Sequence, residues 1–321
     1  MGCQASTNVV PANQTISSLT IGIEGGGTKT RIVIADFKAS KVIYSKLYNI
    51  PSNHYLTSIN QVCQDFSEII QTSLLAAKIP NATSLGLTVA GFNTPSNFVK
   101  EHFSNYPNFV QTHDTSGPIQ MFQRQFGRTP AVVIAGTGSA GFFKAQVGGL
   151  GHFLKERGCG FSAVRRAVEE ACAVQDGLRT GDFGSLWSDF SAFFGFEKQT
   201  YQDSGILELF YGAGFKAKVA SFNVEMKANQ SDLVRKVYCE EFEYLAEMVA
   251  VLMAQGTFSD VICVGSFWGS LDSQEEAKIA FFSKFRDIKF WVVKDNGNAL
   301  GAALHACDAQ WKGESMFDEM K

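Results

Sequence analysis

The sequence predicts an α/β fold arranged as two lobes. Three observations carry this. Short β-branched runs each end at a glycine cluster or an acid. Amphipathic helical stretches alternate with these runs after an initial three-strand meander. The chain has 321 residues, roughly twice a typical domain of about 150.

The elements follow in order. Leu19–Ile23 alternates briefly and stops at Gly25-Gly26-Gly27, Arg31–Asp36 is β-branched, and Lys41–Tyr48 reads as a third strand. Ile59–Ala77 sets Ile59, Val62, Cys63, Phe66, Ile69, Ile70 and Leu74 at helical spacing. Leu85–Val89 is a short apolar strand ended by Ala90-Gly91. Phe109–His113 is another, ended by Asp114, and Ala131–Ala135 a third, ended by Gly136-Thr137-Gly138. The stretch 114–130 reads as the junction between lobes. Further on, Gly160–Gln175 is amphipathic. Ser231 is placed to cap a helix running to Gln255, with Gly256 as its stop. Its single apolar stripe, Val234 to Met253, marks a core helix. Asp260–Val264 is a buried strand ending in Gly265-Ser266, and Ala299–Ala306 a final helix of small residues. The expected organisation is a flexible tail at 1–18, a first lobe at 19–120, a second lobe at 121–307, and a tail at 308–321 that can return to the first lobe.

Composition excludes several classes. Lys plus Arg is 28 against 31 Asp plus Glu, a formal net charge of −3. With no basic excess, a nucleic-acid partner held by phosphate charge is not expected. Charged residues are 18% of the chain, too few for general disorder. Mean hydropathy is −0.01, and no apolar run approaches the ~18 residues of a membrane span. The seven cysteines are odd in number and form no C-x-x-C pair, so neither a disulfide framework nor a zinc site is expected. Reduced thiols in an intracellular protein are the simplest account. Met1–Ser18 is polar and lacks the basic start and apolar stretch of a signal peptide. Its start, Met1-Gly2-Cys3-Gln4-Ala5-Ser6, fits the N-myristoylation pattern, with Cys3 as a second acyl acceptor. A chance match is the simpler reading of so short a pattern, and membrane attachment is expected only if Gly2 and Cys3 are acylated.

Two glycine loops carry the chemistry. Ile21–Thr30 reads IGIEGGGTKT. Three glycines between two strands allow positive φ and bring backbone N–H groups towards an oxyanion. Thr28 and Thr30 add hydroxyl donors, Lys29 adds charge, and Glu24 can hold a magnesium ion directly or through water. The loop lacks the Walker A pattern and leads into a strand. Ala135–Gly141 reads AGTGSAG, formally G-x-G-x-x-G. A dinucleotide fingerprint must open a helix. Here Phe142 and Phe143 follow, so a second strand–turn–strand phosphate loop fits better. Two such loops, one per lobe, suit a nucleoside triphosphate, and phosphoryl transfer then needs positioning, a metal and a base.

The motifs IGIEGGGTKT, Ser52-Asn53-His54, LGLTVAGFN at 85–93, Asp114 in THDTSG, AGTGS at 135–139, GGLGH at 148–152 and VGSFWGS at 264–270 stand in a telling order. In that order the chain resembles the animal-type N-acetylglucosamine kinases over about residues 19–307. These sit in a wider family with the benzoyl-CoA-reductase activator ATPases, within the actin-like ATPase and sugar kinase superfamily. The resemblance implies two actin-like (ribonuclease H-like) lobes with ATP and sugar in the cleft between them, a homodimer, and a cytoplasmic enzyme of amino-sugar metabolism. It implies that Asp114 is the catalytic base and contacts the sugar. It implies that Thr28 and Thr137 lie on the ATP phosphates, beside Gly25, Gly26, Gly27, Lys29, Gly136 and Gly138. Sugar contacts are implied for Asn53, Ser139, Ala140, Gly149, Leu150, Gly151, His152 and Phe153. Ala220, Ser266 and Ser270 match nucleotide contacts, and Gly265 lets the adenosine end approach the backbone.

Three departures stand out. Where the family often reads G-D-E-G-S, this chain has Lys155-Glu156-Arg157-Gly158-Cys159, so Glu156 stands where an aspartate binds sugar hydroxyls. Leu150 replaces a tryptophan beside the sugar. Ala90-Gly91-Phe92-Asn93 replaces S-G-G-D and loses an acid. The leading expectation is an ATP-dependent kinase acting on the 6-hydroxyl of N-acetylglucosamine or a close amino sugar. A degenerate sugar- or nucleotide-binding protein is the alternative that the departures support. An activator ATPase is disfavoured, because no close cysteine pair is present to share an iron–sulfur cluster.

Overall fold

A computed structural model describes residues 19–52, 57–91, 96–154, 156–197, 204–307 and 309–320. The proposed acylation site, Asn53, His54, Asn93 and Lys155 therefore lie outside the described residues. The chain divides into two compact units. One contains the residues up to Pro130 and those from Trp291 onward, and the other runs from Ala131 to Phe290.

The first unit opens with β1 (Leu19–Gly25), β2 (Thr30–Asp36) and β3 (Lys41–Tyr48) as an antiparallel meander. It continues through α1 (Ile59–Ala77), β4 (Ser84–Val89), α2 (Asn97–His102), β5 (Asn108–Thr112) and α3 (Ser116–Phe126). The sheet order is β3-β2-β1-β4-β5, with β4 parallel to both β1 and β5. Helix α1 starts where Ser58 Oγ accepts the Gln61 N–H at 3.2 Å. It buries Val62, Cys63, Phe66, Ile69 and Ile70 in one core with Ile21, Ile23, Ile32, Ile34, Leu85 and Leu87 of the strands. Every residue of β4 is buried, as a central strand covered on both faces requires. Helix α3 fills most of the expected junction at 114–130 and belongs to the first unit, so the boundary falls after Pro130 rather than after residue 120. Pro118 falls in the first turn of α3, where a missing N–H is tolerated, and Met121 and Phe122 are buried.

The second unit holds β6 (Ala131–Ala135), β7 (Ser139–Phe142), β8 (Gln146–Gly148), α4 (Gly160–Gln175), α5 (Leu186–Phe194), α6 (Ser204–Tyr211), α7 (Phe215–Ser221), α8 (Asn223–Met226), α9 (Asp232–Ala254), β9 (Asp260–Val264), a 3-10 turn at Ser266–Ser270 and α10 (Glu275–Phe282). Strands β9, β6, β7 and β8 lie side by side in that order. β6 is parallel to β9 and antiparallel to β7. Helix α9 buries Val234, Val237, Tyr238, Phe242, Leu245, Val249 and Leu252 of the expected stripe, whereas Met253, its last member, is exposed in the final turn. Ser231 occupies its N-cap, but the side chain makes no capping bond; its Oγ is buried without a partner. Phe242 stacks on Phe267 at 5.0 Å, and Phe281 packs edge-on against Trp268.

The chain then forms β10 (Lys289–Val293), α11 (Gly297–His305) and β11 (Phe317–Glu319), with β11 antiparallel to β10. Helix α11 lies on the first sheet. A Cβ on Gly22 of β1 would fall 1.9 Å from the Ala299 carbonyl, and one on Gly86 of β4 would fall 1.7 Å from that of Ala302. On its other side Gly301 meets α3, where a Cβ would lie 1.8 Å from the Gly117 carbonyl. Glycine thus permits backbone-to-backbone seating at all three points. This seating groups α11 with the first unit, a correction to the second lobe at 121–307 that the sequence predicts. Among the described residues no helix is long and apolar enough to cross a membrane. Their six cysteines are free, with Cys63, Cys159 and Cys263 buried.

Candidate functional site

In the first unit, the Gly25-Gly26-Gly27 turn joins β1 to β2 as expected. The Gly26 N–H donates to the Lys29 carbonyl at 3.0 Å, and the Gly26 carbonyl accepts the Ser52 N–H at 2.9 Å. The Gly25 carbonyl accepts the Ala90 N–H at 2.8 Å. None of the three glycines takes positive φ. This corrects the reason for their presence. At Gly25 the reason is close approach, since a Cβ would sit 2.0 Å from Ser52 Oγ. Gly27, Thr28 and Lys29 are exposed at the tip of the turn.

Behind this turn four polar side chains gather. Glu24 is the penultimate residue of β1, in register with Thr88 on β4 and Arg31 on β2. Asp114 follows β5, and Asn298 lies in the first turn of α11. Gly117 of α3 closes the group: a Cβ there would lie 3.0 Å from Thr88 Oγ1 and 2.5 Å from the Asn298 carbonyl. Thr88 is fully buried, and Thr88 Oγ1, Asp114 Oδ1 and Asn298 Oδ1 are each buried without a hydrogen-bond partner. His113 Nδ1 comes within 2.7 Å of Asp114 Oδ1 but is not aligned for a hydrogen bond. Nδ1 instead meets Thr115, whose backbone N–H lies 3.4 Å away. Arg31 donates from Nη1 to Asn296 Oδ1 at 3.3 Å, which also accepts from Ser45 Oγ at 2.6 Å. These bonds tie the start of α11 to β2 and β3.

Glu24 retains some exposed surface, yet protein surrounds its carboxylate on nearly every side. Burial, reinforced by the Asp114 charge, pushes it up to about 7; Arg31 and a hydrogen bond from Asn298 oppose the rise. Between the ordinary value of 4.5 and about 7, folded Glu24 keeps a proton that the unfolded chain releases. Stability of the metal-free protein therefore falls as pH rises through that window and levels off above it. Allowing for partial exposure, the loss is roughly 2 kcal/mol. Glu24→Gln is expected to abolish it. Urea unfolding of both proteins at about pH 5 and about pH 8 checks this; parallel pH dependence in the two would contradict it.

The second unit's loop, Gly136-Thr137-Gly138, joins β6 directly to β7 and so excludes the dinucleotide arrangement, as expected. The Gly136 N–H donates to the Gly138 carbonyl at 2.9 Å, and the Gly136 carbonyl accepts the Gly160 N–H at 2.8 Å. The loop is thereby fastened to the N-terminus of α4, a favourable place for an anion. A Cβ on Gly160 would lie 3.4 Å from the Ala220 carbonyl, so Ala220 borders the loop. Gly265 takes φ 104° and packs on the same loop, where a Cβ would fall 2.5 Å from the Ala135 carbonyl. Ser266 is exposed beside it. Ser270 is fully buried and accepts from Asn223 Nδ2 at 3.1 Å, so its hydroxyl serves the interior.

Glu156 accepts the Ser139 N–H through Oε1 at 3.2 Å and pairs through Oε2 with Lys216 Nζ at 2.5 Å. Ser139 Oγ donates to the Arg157 carbonyl. Arg157 meets the fully buried Glu241 at 3.3 Å. Glu241 also accepts from Arg166 Nη1 at 2.7 Å, the Gly158 N–H at 2.5 Å and Ser162 Oγ at 2.5 Å. This carboxylate is fully partnered and holds the 156–162 segment in place. Gly148, Gly149 and Gly151 all take positive φ and curl the chain after β8. Ala140 is buried on β7; Leu150 and Phe153 are exposed. His152 lies among Phe153, Phe161 and Phe215, with Nε2 buried and unpartnered. Burial, then the charge of Lys216, holds it below the usual histidine range.

The structure thus gathers Glu24 with Asp114 in one unit, and the loop residues with Glu156, His152 and Ala220 in the other. Thr88, Asn298, Lys216 and Glu241 were not legible as site residues. Among the described residues no group of three His, Cys, Asp or Glu side chains is placed to hold a metal.

The fold is that of the actin-like ATPases and sugar kinases. No family model matches the chain, and no curated protein matches it by sequence. Solved structures do match. A proposed N-acetylglucosamine kinase from Chromobacterium violaceum aligns with a TM-score of 0.68 at 18% identity, over 91% of this chain and 100% of its own. Another, from Porphyromonas gingivalis, aligns at 0.67 and 18%, over 90% and 100%. A ROK family glucokinase from Streptomyces griseus, solved with glucose and AMPPNP, aligns at 0.57 and 13%, over 89% and 98%. Likeness at these identities establishes the fold.

Proposed function

We propose that this chain is an ATP-dependent sugar kinase acting on the 6-hydroxyl of N-acetylglucosamine or a close amino sugar, in amino-sugar salvage. End-to-end likeness to structures of sugar kinases supports the class. The observation that carries the chemistry is Asp114, whose buried Oδ1 accepts no hydrogen bond, although His113 Nδ1 lies 2.7 Å away, and which is set beside Glu24 where the parallel strands end. A carboxylate oxygen in that state is free to accept the proton of a substrate hydroxyl as the phosphoryl group arrives.

Each glycine turn is a phosphate cradle in this reading. Thr28 and Lys29 offer donors from one, and Thr137 and the N–H groups beside α4 offer them from the other. His152 and Glu156 contact the sugar. The first unit also fits magnesium, because Glu24 and the orphaned Thr88 and Asn298 atoms are all oxygen donors, as that ion prefers. Glu24 would hold it, giving up its proton on binding. The ion, when bound, supplies charge neutralisation on the phosphates. The dimer and the cytoplasmic setting rest on the sequence resemblance.

One observation favours a non-catalytic binding protein instead: both oxygens of Glu156 are already engaged, by Ser139 and Lys216. The 6-deoxy analogue of N-acetylglucosamine separates the readings. It is expected to bind competitively and yield no phosphorylated product, while the parent sugar is phosphorylated. Binding of both sugars with phosphorylation of neither would select the binding protein.

A further inference from the structure

Lys216 was not expected from the sequence. Its ammonium lies 2.5 Å from Glu156 Oε2, and its side chain keeps 26% exposure against 6% for Glu156. Gly138 makes this placement possible, because a Cβ there would lie 3.0 Å from Lys216 Nζ and 2.5 Å from Glu156 Oε1. The ion pair therefore rests directly on the backbone of the Gly136–Gly138 turn. Glu156 bridges the turn and the lysine, through Oε1 to the Ser139 N–H and Oε2 to Nζ. An ammonium has three N–H donors. Among the described residues Glu156 alone accepts from this ammonium, which leaves donors for a ligand. Lys216 also sits in the first turn of α7, where the helix dipole disfavours a cation. The position is thus not explained by helix stability.

We propose that Lys216 is an anion-binding residue of this turn: Glu156 holds the ammonium against Gly138, from where it donates to an oxygen of a bound phosphate. The proposal rests on the reading of Gly136–Gly138 as a phosphate loop. The phosphate could belong to a nucleotide or to a sugar 6-phosphate, and both present the same oxygens. Glu156 has two opposed effects. It positions the lysine, and it competes with the phosphate for its donors.

Binding to the full chain, measured by calorimetry at fixed ionic strength with ADP, tripolyphosphate and N-acetylglucosamine 6-phosphate as separate probes, tests this. Lys216→Met is expected to weaken at least one probe by roughly tenfold or more, the worth of a charge-assisted hydrogen bond. Lys216→Arg is expected to recover part of the loss. Glu156→Gln is expected to tighten the same probe by severalfold, because a competing negative charge is removed. A purely structural lock would make Lys216→Met and Glu156→Gln weaken binding together, which overturns the proposal. Absence of binding by all three probes, or Lys216→Met binding like the parent, also overturns it. These readouts need no turnover. A chain that phosphorylates no sugar yet shows the opposed effects would retire the kinase reading and leave this one standing.

Discussion

Asp114→Asn is expected to lower the turnover of sugar phosphorylation about a thousandfold, with substrate affinities changed by less than about threefold. The amide keeps the shape of the carboxylate but cannot accept the hydroxyl proton at a useful pKa. Folding should survive the change. Asp114 Oδ1 receives no hydrogen bond, an asparagine keeps the shape beside His113 Nδ1 at 2.7 Å, and removing the charge relieves Glu24, which it pushes upward. Burial still holds Glu24 high, so the variant should keep a residual pH-dependent stability. Steady-state ADP release checks the prediction, with sugar and nucleotide binding measured in parallel. A variant that turns over like the parent would remove Asp114 from the role of base.

Gly86→Ala is expected to destabilise the first unit by more than about 3 kcal/mol, at the upper end for overpacking. The new methyl would fall 1.7 Å from the Ala302 carbonyl, so backbone must separate from backbone. No flexible side chain is available to yield. Gly22 imposes the same restriction on β1, where a Cβ would lie 1.9 Å from the Ala299 carbonyl. Displacing α11 would also move Asn298 away from Glu24 and Asn296 away from Arg31. Thermal unfolding should show Tm lowered by about 6–12 °C. An unchanged Tm would mean that α11 does not seat on this sheet.

Much of the fold was legible because its patterns are self-contained. α1, α4, β3, β6 and β9 fall at the expected residues, each marked by apolar periodicity and a turn signal. α3 was not legible: Ser116-Gly117-Pro118 reads as a break, and the helix is held by Gly117 meeting Gly301, nearly two hundred residues away. The short helices α5 to α8 lack a long stripe, and α5, α7 and α8 have no side-chain N-cap bond, although Gly195 ends α5 in the left-handed region. For the site, glycine turns and Asp114 announce themselves through local chemistry. Positive φ was the wrong reason for Gly25 to Gly27, because close approach cannot be seen without the partner, Ser52. Thr88, Asn298 and Lys216 carry no local signal at all; only the strand register, the seating of α11 and the path of α7 bring them to the acids they meet. Ser270 matched a motif, but the Asn223–Tyr238 network claims it.

The most direct test of the account is ADP release with ATP, magnesium and a panel of amino sugars. ADP formation is expected to depend on sugar, to be greatest with N-acetylglucosamine or a close relative, and to be matched by sugar 6-phosphate. A folded protein that binds nucleotide and sugar yet releases no ADP with any member of the panel would contradict it.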